Sequence, residues 1–254
     1  CGATRLASTM CSAVSRRILS IGSTRSAART GYSGCRTSPW NAAQRSPEAG
    51  AGAALGAGAG NPGVDQALVT VSHRPGAWRY SDDRVRAAIR HSDSRLVGVA
   101  AADLNDPRAA VDSLRRAVEV DGFRALRLVP WLWNRPPNDP CYFPLYAACV
   151  ELGIPVCTQV GHTGPLMPSE PGRPIPYLDD VACAFPDLRI VGGHLGYPWV
   201  DEIIALATKH PHVYIDTSAH RPKYFPPPFV DFLRGAGREK VLFATNFTML
   251  DWHS

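Results

Sequence analysis

From residue 64 onward, short β-branched and apolar runs alternate with stretches whose apolar residues recur at helical spacing. The apolar runs predict seven strands, over 64–71, 96–104, 123–130, 154–160, 188–194, 213–219 and 240–246. The stretches between them predict helices over 81–91, 106–121, 142–152, 199–209 and 228–235, with a shorter one over 177–184. The second helix is the best marked. Asp106-Pro107 offers an N-cap followed by proline at the first helical position, and Gly122 offers a stop.

Strands and helices in strict alternation imply successive βαβ units and a parallel sheet. The fold class is therefore α/β. A (β/α)₈ TIM barrel and a doubly wound open sheet both fit that alternation. No GxGxxG turn follows the first strand, which removes the dinucleotide-binding version of the open sheet and favours the barrel. With seven strands visible, the barrel is expected to lack its first strand and its last helix. Two unpaired edges would then make it less stable than a complete relative.

The first 60 residues read differently. They are rich in Ser, Arg, Ala and Gly, and residues 49–60 are eleven Gly or Ala out of twelve. Such composition cannot bury enough apolar area to offset the entropy of ordering, so 1–60 is expected to be a low-complexity segment and 61–254 the barrel. An organelle transit peptide, a flexible extension and a mistranslated GC-rich stretch all fit it. The chain opens on Cys1, and its true start is expected to lie upstream.

Charge divides in the same place. Residues 1–60 hold seven of the 27 basic residues and one of the 22 acidic ones, leaving a net charge of −1 on the remainder. A near-neutral barrel offers no nucleic-acid surface, and no run of about 18 apolar residues offers a membrane span. The seven cysteines form no CxxC pair, and Cys141, Cys149 and Cys157 match no zinc spacing. They read as reduced, mostly buried residues. That suits a cytoplasmic protein, or a mitochondrial matrix protein if 1–60 is a transit peptide.

Chemistry in a barrel of this type sits at the C-terminal ends of the strands. His162 and His194 stand there, each flanked by glycines, after consecutive strands. Imidazoles so placed suit metal ligation or proton transfer; strand capping is the bland account of each alone. His220 and His73 follow strand ends in loops and are weaker candidates, and His91, His210, His212 and His253 receive no role. Asp216 and Arg127 are strand residues that either form an ion pair or line the barrel. Arg127 in the latter case suits a substrate carboxylate. Trp131 and Trp133 fit a pocket wall or plain packing.

The runs from Gly161 to Tyr177, from Phe185 to His220 and from Lys240 to Phe247 resemble the amidohydrolase-related family. That family includes the aminocarboxymuconate-semialdehyde and resorcylate decarboxylases and several hydrolases. The resemblance spans about residues 64–250. It implies a TIM barrel with one divalent metal, usually zinc, acting on a small carboxylate-bearing substrate by hydrolysis or decarboxylation. It further implies His162 as a metal ligand, His194 as general acid/base, and Asn246 at the position of the family's last metal-binding aspartate. A small molecule is the implied partner, and a homodimer is compatible with it.

Two departures stand out. The chain contains no His-x-His, from which the family draws two ligands on its first strand, and Asn246 is an amide where a carboxylate is usual. Zinc sites generally take three protein ligands, so weak metal retention is expected. Two functions follow: a metal-dependent enzyme impaired in this chain, or a non-catalytic remnant that keeps the pocket as a binding or assembly module.

Overall fold

The computed structural model describes residues 18–21, 66–71, 82–92, 94–164, 166–246 and 250. Its strands form one all-parallel sheet in sequence order. The seven anticipated strands are β2 (Gln66–Thr70), β3 (Leu96–Ala101), β4 (Ala125–Leu128), β5 (Val156–Gln159), β6 (Ile190–Gly193), β7 (Val213–Asp216) and β8 (Val241–Leu242). Helices lie between them: α1 (Asp82–Arg90), α2 (Pro107–Glu119), α3 (Pro130–Trp133), α4 (Phe143–Glu151), α5 (Tyr177–Ala184), α6 (Val200–Lys209) and α7 (Pro227–Arg234). This is the architecture of a partial (β/α)₈ barrel.

One strand lies where composition predicts none. β1 (Ile18–Ile21) pairs in parallel with β2, Ile18 opposite Gln66 and Ile21 opposite Val69. The four residues Ile-Leu-Ser-Ile are apolar enough to add to an open edge, although the segment around them is not. β1 carries no histidine. No ladder joins β8 to β1 among the described residues.

The helix boundaries follow local chemistry. Asp106 caps α2, its side chain accepting from Ala109 N at 3.0 Å, with Pro107 at the first position. α3 is a one-turn helix in what the sequence presents as a Pro-rich loop. Pro130 starts it, and Asn134 ends it in the left-handed conformation.

Burial alternates along the strands. In β5, Val156 and Thr158 are buried while Cys157 and Gln159 are half-buried; in β7, Val213 and Ile215 are buried while Tyr214 and Asp216 are half-buried. The buried set joins α-helical residues such as Leu114, Leu145, Ile203 and Leu206 in the core between sheet and helices. The half-buried set therefore shares the sheet's other face, which in a barrel is the lumen. Register puts Arg127, Cys157, Val191 and Tyr214 in one row across that face. Gln159, Gly193 and Asp216 stand further along, toward the C-terminal strand ends.

Candidate active site at the C-terminal strand ends

Three histidines gather at the ends of β5, β6 and β7. His194 is buried and follows β6 with φ +71°, a conformation uncommon for a residue with a Cβ. Strain of this kind needs surrounding structure to hold it and concentrates at functional sites. Here the hold is visible. Asp216 Oδ1 accepts from Ser218 N at 2.8 Å, from the Ser218 hydroxyl, and at 3.5 Å from His194 N. Gly193 lets the carboxylate in, since a Cβ there would stand 3.1 Å from Asp216 Oδ2.

These contacts also assign the tautomer of His194. Its Nδ1 lies 3.2 Å from the Ser218 carbonyl and 2.7 Å from Ser218 Oγ. A carbonyl only accepts, and the Ser218 hydroxyl hydrogen is directed at Asp216, so Nδ1 carries the proton. Nε2 is left with its lone pair. Burial is the main force on the ring's ionisation. It holds the imidazole down to about 4, with Asp216 opposing and the Arg127 charge reinforcing. His194 is neutral at pH 7.

His162 and His220 repeat the pattern. His162 is exposed; its N–H donates to the Tyr197 carbonyl at 2.7 Å, and its Nδ1 lies 3.2 Å from the same oxygen. His220 Nδ1 lies 3.2 Å from the Ser218 carbonyl. Tyr197 stands between the two rings, 5.6 Å from His162 and 6.2 Å from His220. Each imidazole therefore donates from Nδ1 to a carbonyl and keeps Nε2 free. His220 is half-buried and its pKa is lowered, chiefly by burial. His220 follows Ala219, whose φ of +66° marks a sharp change of chain direction after β7.

Arg127 is not the ion-pair partner of Asp216. No carboxylate lies within 4.0 Å of its guanidinium among the described residues, and its one hydrogen bond is a long one, 3.5 Å to Gln159 Oε1. Burial lowers its pKa, and Asp216 is near enough to act against that. A guanidinium half-buried on the lumen face, without a direct counter-ion, is poised for an anion.

The other sequence candidates divide. Trp131 is 3% exposed in α3, directly after β4, so it belongs to the body of the wall. Asn246 lies four residues beyond β8, which is shorter than the strand expected over 240–246; it has φ +58° and is half-buried. Its approach is fixed by Thr217, whose Oγ1 accepts from Ala244 N at 3.0 Å and donates to Ala244 O at 3.2 Å. His73 lies outside the described residues. Among the described cysteines Cys149 is buried, Cys141 and Cys157 are half-buried, and Cys183 on α5 is exposed.

The donor set meets a family-type metal only in part. Imidazoles with Nδ1 tied to a carbonyl and Nε2 free are oriented as metal-binding histidines are. Convergence is lacking: at the barrel mouth no three His, Cys, Asp or Glu donor atoms lie within 4.8 Å of one another among the described residues. His162 and Asn246 do not by themselves fit a metal that needs three protein ligands.

The family model described as amidohydrolase matches residues 36–251. Among solved structures, an uncharacterised TIM-barrel protein from Bordetella bronchiseptica is 26% identical, with a TM-score of 0.66 over 76% of this chain and 68% of that one. A 2,6-dihydroxybenzoate decarboxylase from Rhizobium is 16% identical, with a TM-score of 0.58 over 85% and 83% of the two chains. A dihydroxybenzoic acid decarboxylase from Polaromonas, solved with bound manganese and the inhibitor 2-nitroresorcinol, is 17% identical, with a TM-score of 0.50 over 67% and 64%. The metal in that relative is manganese, where the resemblance implied zinc. No curated protein matches this chain.

Proposed function

Because this chain belongs to the amidohydrolase family, we propose that its barrel mouth binds a small carboxylate-bearing substrate through Arg127 and moves a proton through Nε2 of His194. The observation that carries this reading is the guanidinium on the lumen face, with no carboxylate within 4.0 Å of it among the described residues. Burying a cation costs several kcal/mol unless it is paired. A substrate carboxylate supplies the pair, and two parallel N–H···O bonds fix its orientation.

Hydrolysis and decarboxylation both require a proton to be moved at the reacting group. In hydrolysis, the attacking water gives one up. In decarboxylation, the carbon–carbon bond breaks, CO₂ departs, and the carbon takes one up. With Nδ1–H committed to Ser218, only Nε2 of His194 is available. Its neutral resting state makes acceptance the first act. A hydroxyl beside the substrate carboxylate would supply that proton for return to carbon, which favours a hydroxyarene carboxylate of the kind named for the Rhizobium enzyme. A divalent metal at the mouth, manganese or zinc, would need ligands beyond His162 and Asn246.

The donor count favours a second reading, in which the pocket binds carboxylates without turning them over. Calorimetric titration with 2,6-dihydroxybenzoate, run beside a CO₂-release assay, separates the two. Arg127→Gln is expected to weaken binding by about 10- to 100-fold, the worth of a charge-assisted pair at 1.5–3 kcal/mol. Equal affinity in wild type and variant would remove Arg127 from the site. CO₂ release abolished by His194→Gln supports the enzyme, and binding without release supports the module.

A further inference from the structure

Among the described residues, three metal-type donors converge at one place, and it is not the barrel mouth. Asp179 and Cys183 are four residues apart on α5 and so share a face of that helix. His210 follows the last residue of α6, where its backbone N–H caps the helix on Leu206 O. Its carbonyl accepts from Lys240 Nζ at 3.0 Å, so the residue is held from the strand side as well. One ligand atom from each of the three lies within 4.8 Å of the others.

We propose that Asp179, Cys183 and His210 form a second-site clamp for a zinc-class transition metal on the outer helical layer, joining α5 to the end of α6. Three donors around one tetrahedral ion stand roughly 3.3–3.8 Å apart at bond lengths of about 2.0–2.3 Å. The observed cluster needs only side-chain adjustment to reach that. His210 Nε2 already points at Asp179 Oδ1, 2.6 Å away. The thiolate, imidazole and carboxylate set selects zinc, cobalt or a similar ion over calcium or magnesium, which take oxygen ligands. Cys183 is exposed, which leaves an entry path and room for a water as fourth ligand.

A competitor is present. Lys209 Nζ lies 2.8 and 2.9 Å from the two Asp179 oxygens. Its side chain is 55% exposed, so the ammonium can return to solvent when a dication arrives. Metal uptake must then displace the Lys209 ammonium, move the proton that His210 Nε2 donates to Asp179 off that nitrogen, and deprotonate the Cys183 thiol, and affinity is expected to rise with pH.

Cobalt(II) added to the metal-stripped full chain is the probe. One equivalent should give a thiolate-to-cobalt charge-transfer band together with the visible bands of a tetrahedral ion. Cys183→Ser, a change at an exposed position, should abolish the charge-transfer band; His162→Ala, at the barrel mouth, should leave it intact. Lys209→Ala should tighten cobalt binding severalfold. A wild-type chain without the charge-transfer band, or a band that survives Cys183→Ser, would overturn the clamp.

Discussion

Gly161→Ala is expected to destabilise the chain by about 3 kcal/mol and to lower its melting temperature by roughly 6–12 °C. Gly161 has φ +94°, and a Cβ there would stand 2.6 Å from Tyr197 O and 3.0 Å from Gly196 C. Both obstacles are backbone, so no rotamer change relieves them. Overpacking of this kind costs about 1–3 kcal/mol, and the left-handed backbone adds about 1–2. Function is coupled to the same contact. The Tyr197 carbonyl that the methyl group would displace receives the His162 N–H at 2.7 Å and faces His162 Nδ1. Gly122→Ala provides the comparison. Gly122 also has positive φ, +76°, but nothing lies within 4 Å of its Cβ position. Thermal denaturation should therefore show a loss of about 1 kcal/mol for Gly122→Ala and about three times that for Gly161→Ala. Equal losses would mean that the close approach of the loops after β5 and β6 is not built into the fold.

Acid should remove a measurable part of the stability through His194. The ring titrates at 6.5 in an ordinary setting and at about 4 in its buried place. The native state keeps it neutral while the unfolded chain takes up a proton, so the unfolded state binds more protons between these values. The contribution is therefore complete above about pH 6.5 and is lost as the pH falls toward 4. A shift of this size corresponds to about 3 kcal/mol at most. Urea denaturation of wild type and His194→Gln at pH 7 and pH 4 isolates the effect. The stability difference between the two proteins should shrink, or turn in the variant's favour, by up to that amount on acidification. His220 acts in the same direction and remains in both proteins. A pH-independent difference would place His194 in contact with solvent.

The barrel was legible because short apolar strand runs alternate with helices that carry their own stops, such as Gly122 and Gly153. β1 was not. Ile18–Ile21 is four residues long in an Arg/Ser-rich setting, and only an open edge beside β2 gives it a partner. α3 was hidden in Pro130-Trp131, which reads as a loop until the proline is recognised as a helix start. His162 and His194 announced themselves by flanking glycines that permit close backbone approach. His220 gave no such signal, since the positive φ of Ala219 leaves no mark on the sequence. Arg127 illustrates the limit of pattern. Its strand position was readable, but the preference of Asp216 for Ser218 over Arg127 depends on register and on the turn after β7. The Asp179, Cys183 and His210 cluster was invisible for the same reason. The loop after α5, strand β6 and helix α6 separate its members, and no local spacing encodes their meeting.

His194 rests neutral, with its proton on Nδ1 and its lone pair on Nε2. Long-range ¹H–¹⁵N correlation spectra of the histidine side chains, with His194 assigned by its loss in His194→Gln, test it most directly. The expected result at pH 7 is a neutral ring protonated at Nδ1, which becomes an imidazolium only as the pH approaches about 4. A ring protonated at Nε2, or one already charged near pH 6.5, would contradict the Asp216–Ser218–His194 arrangement and the proton-transfer role built on it.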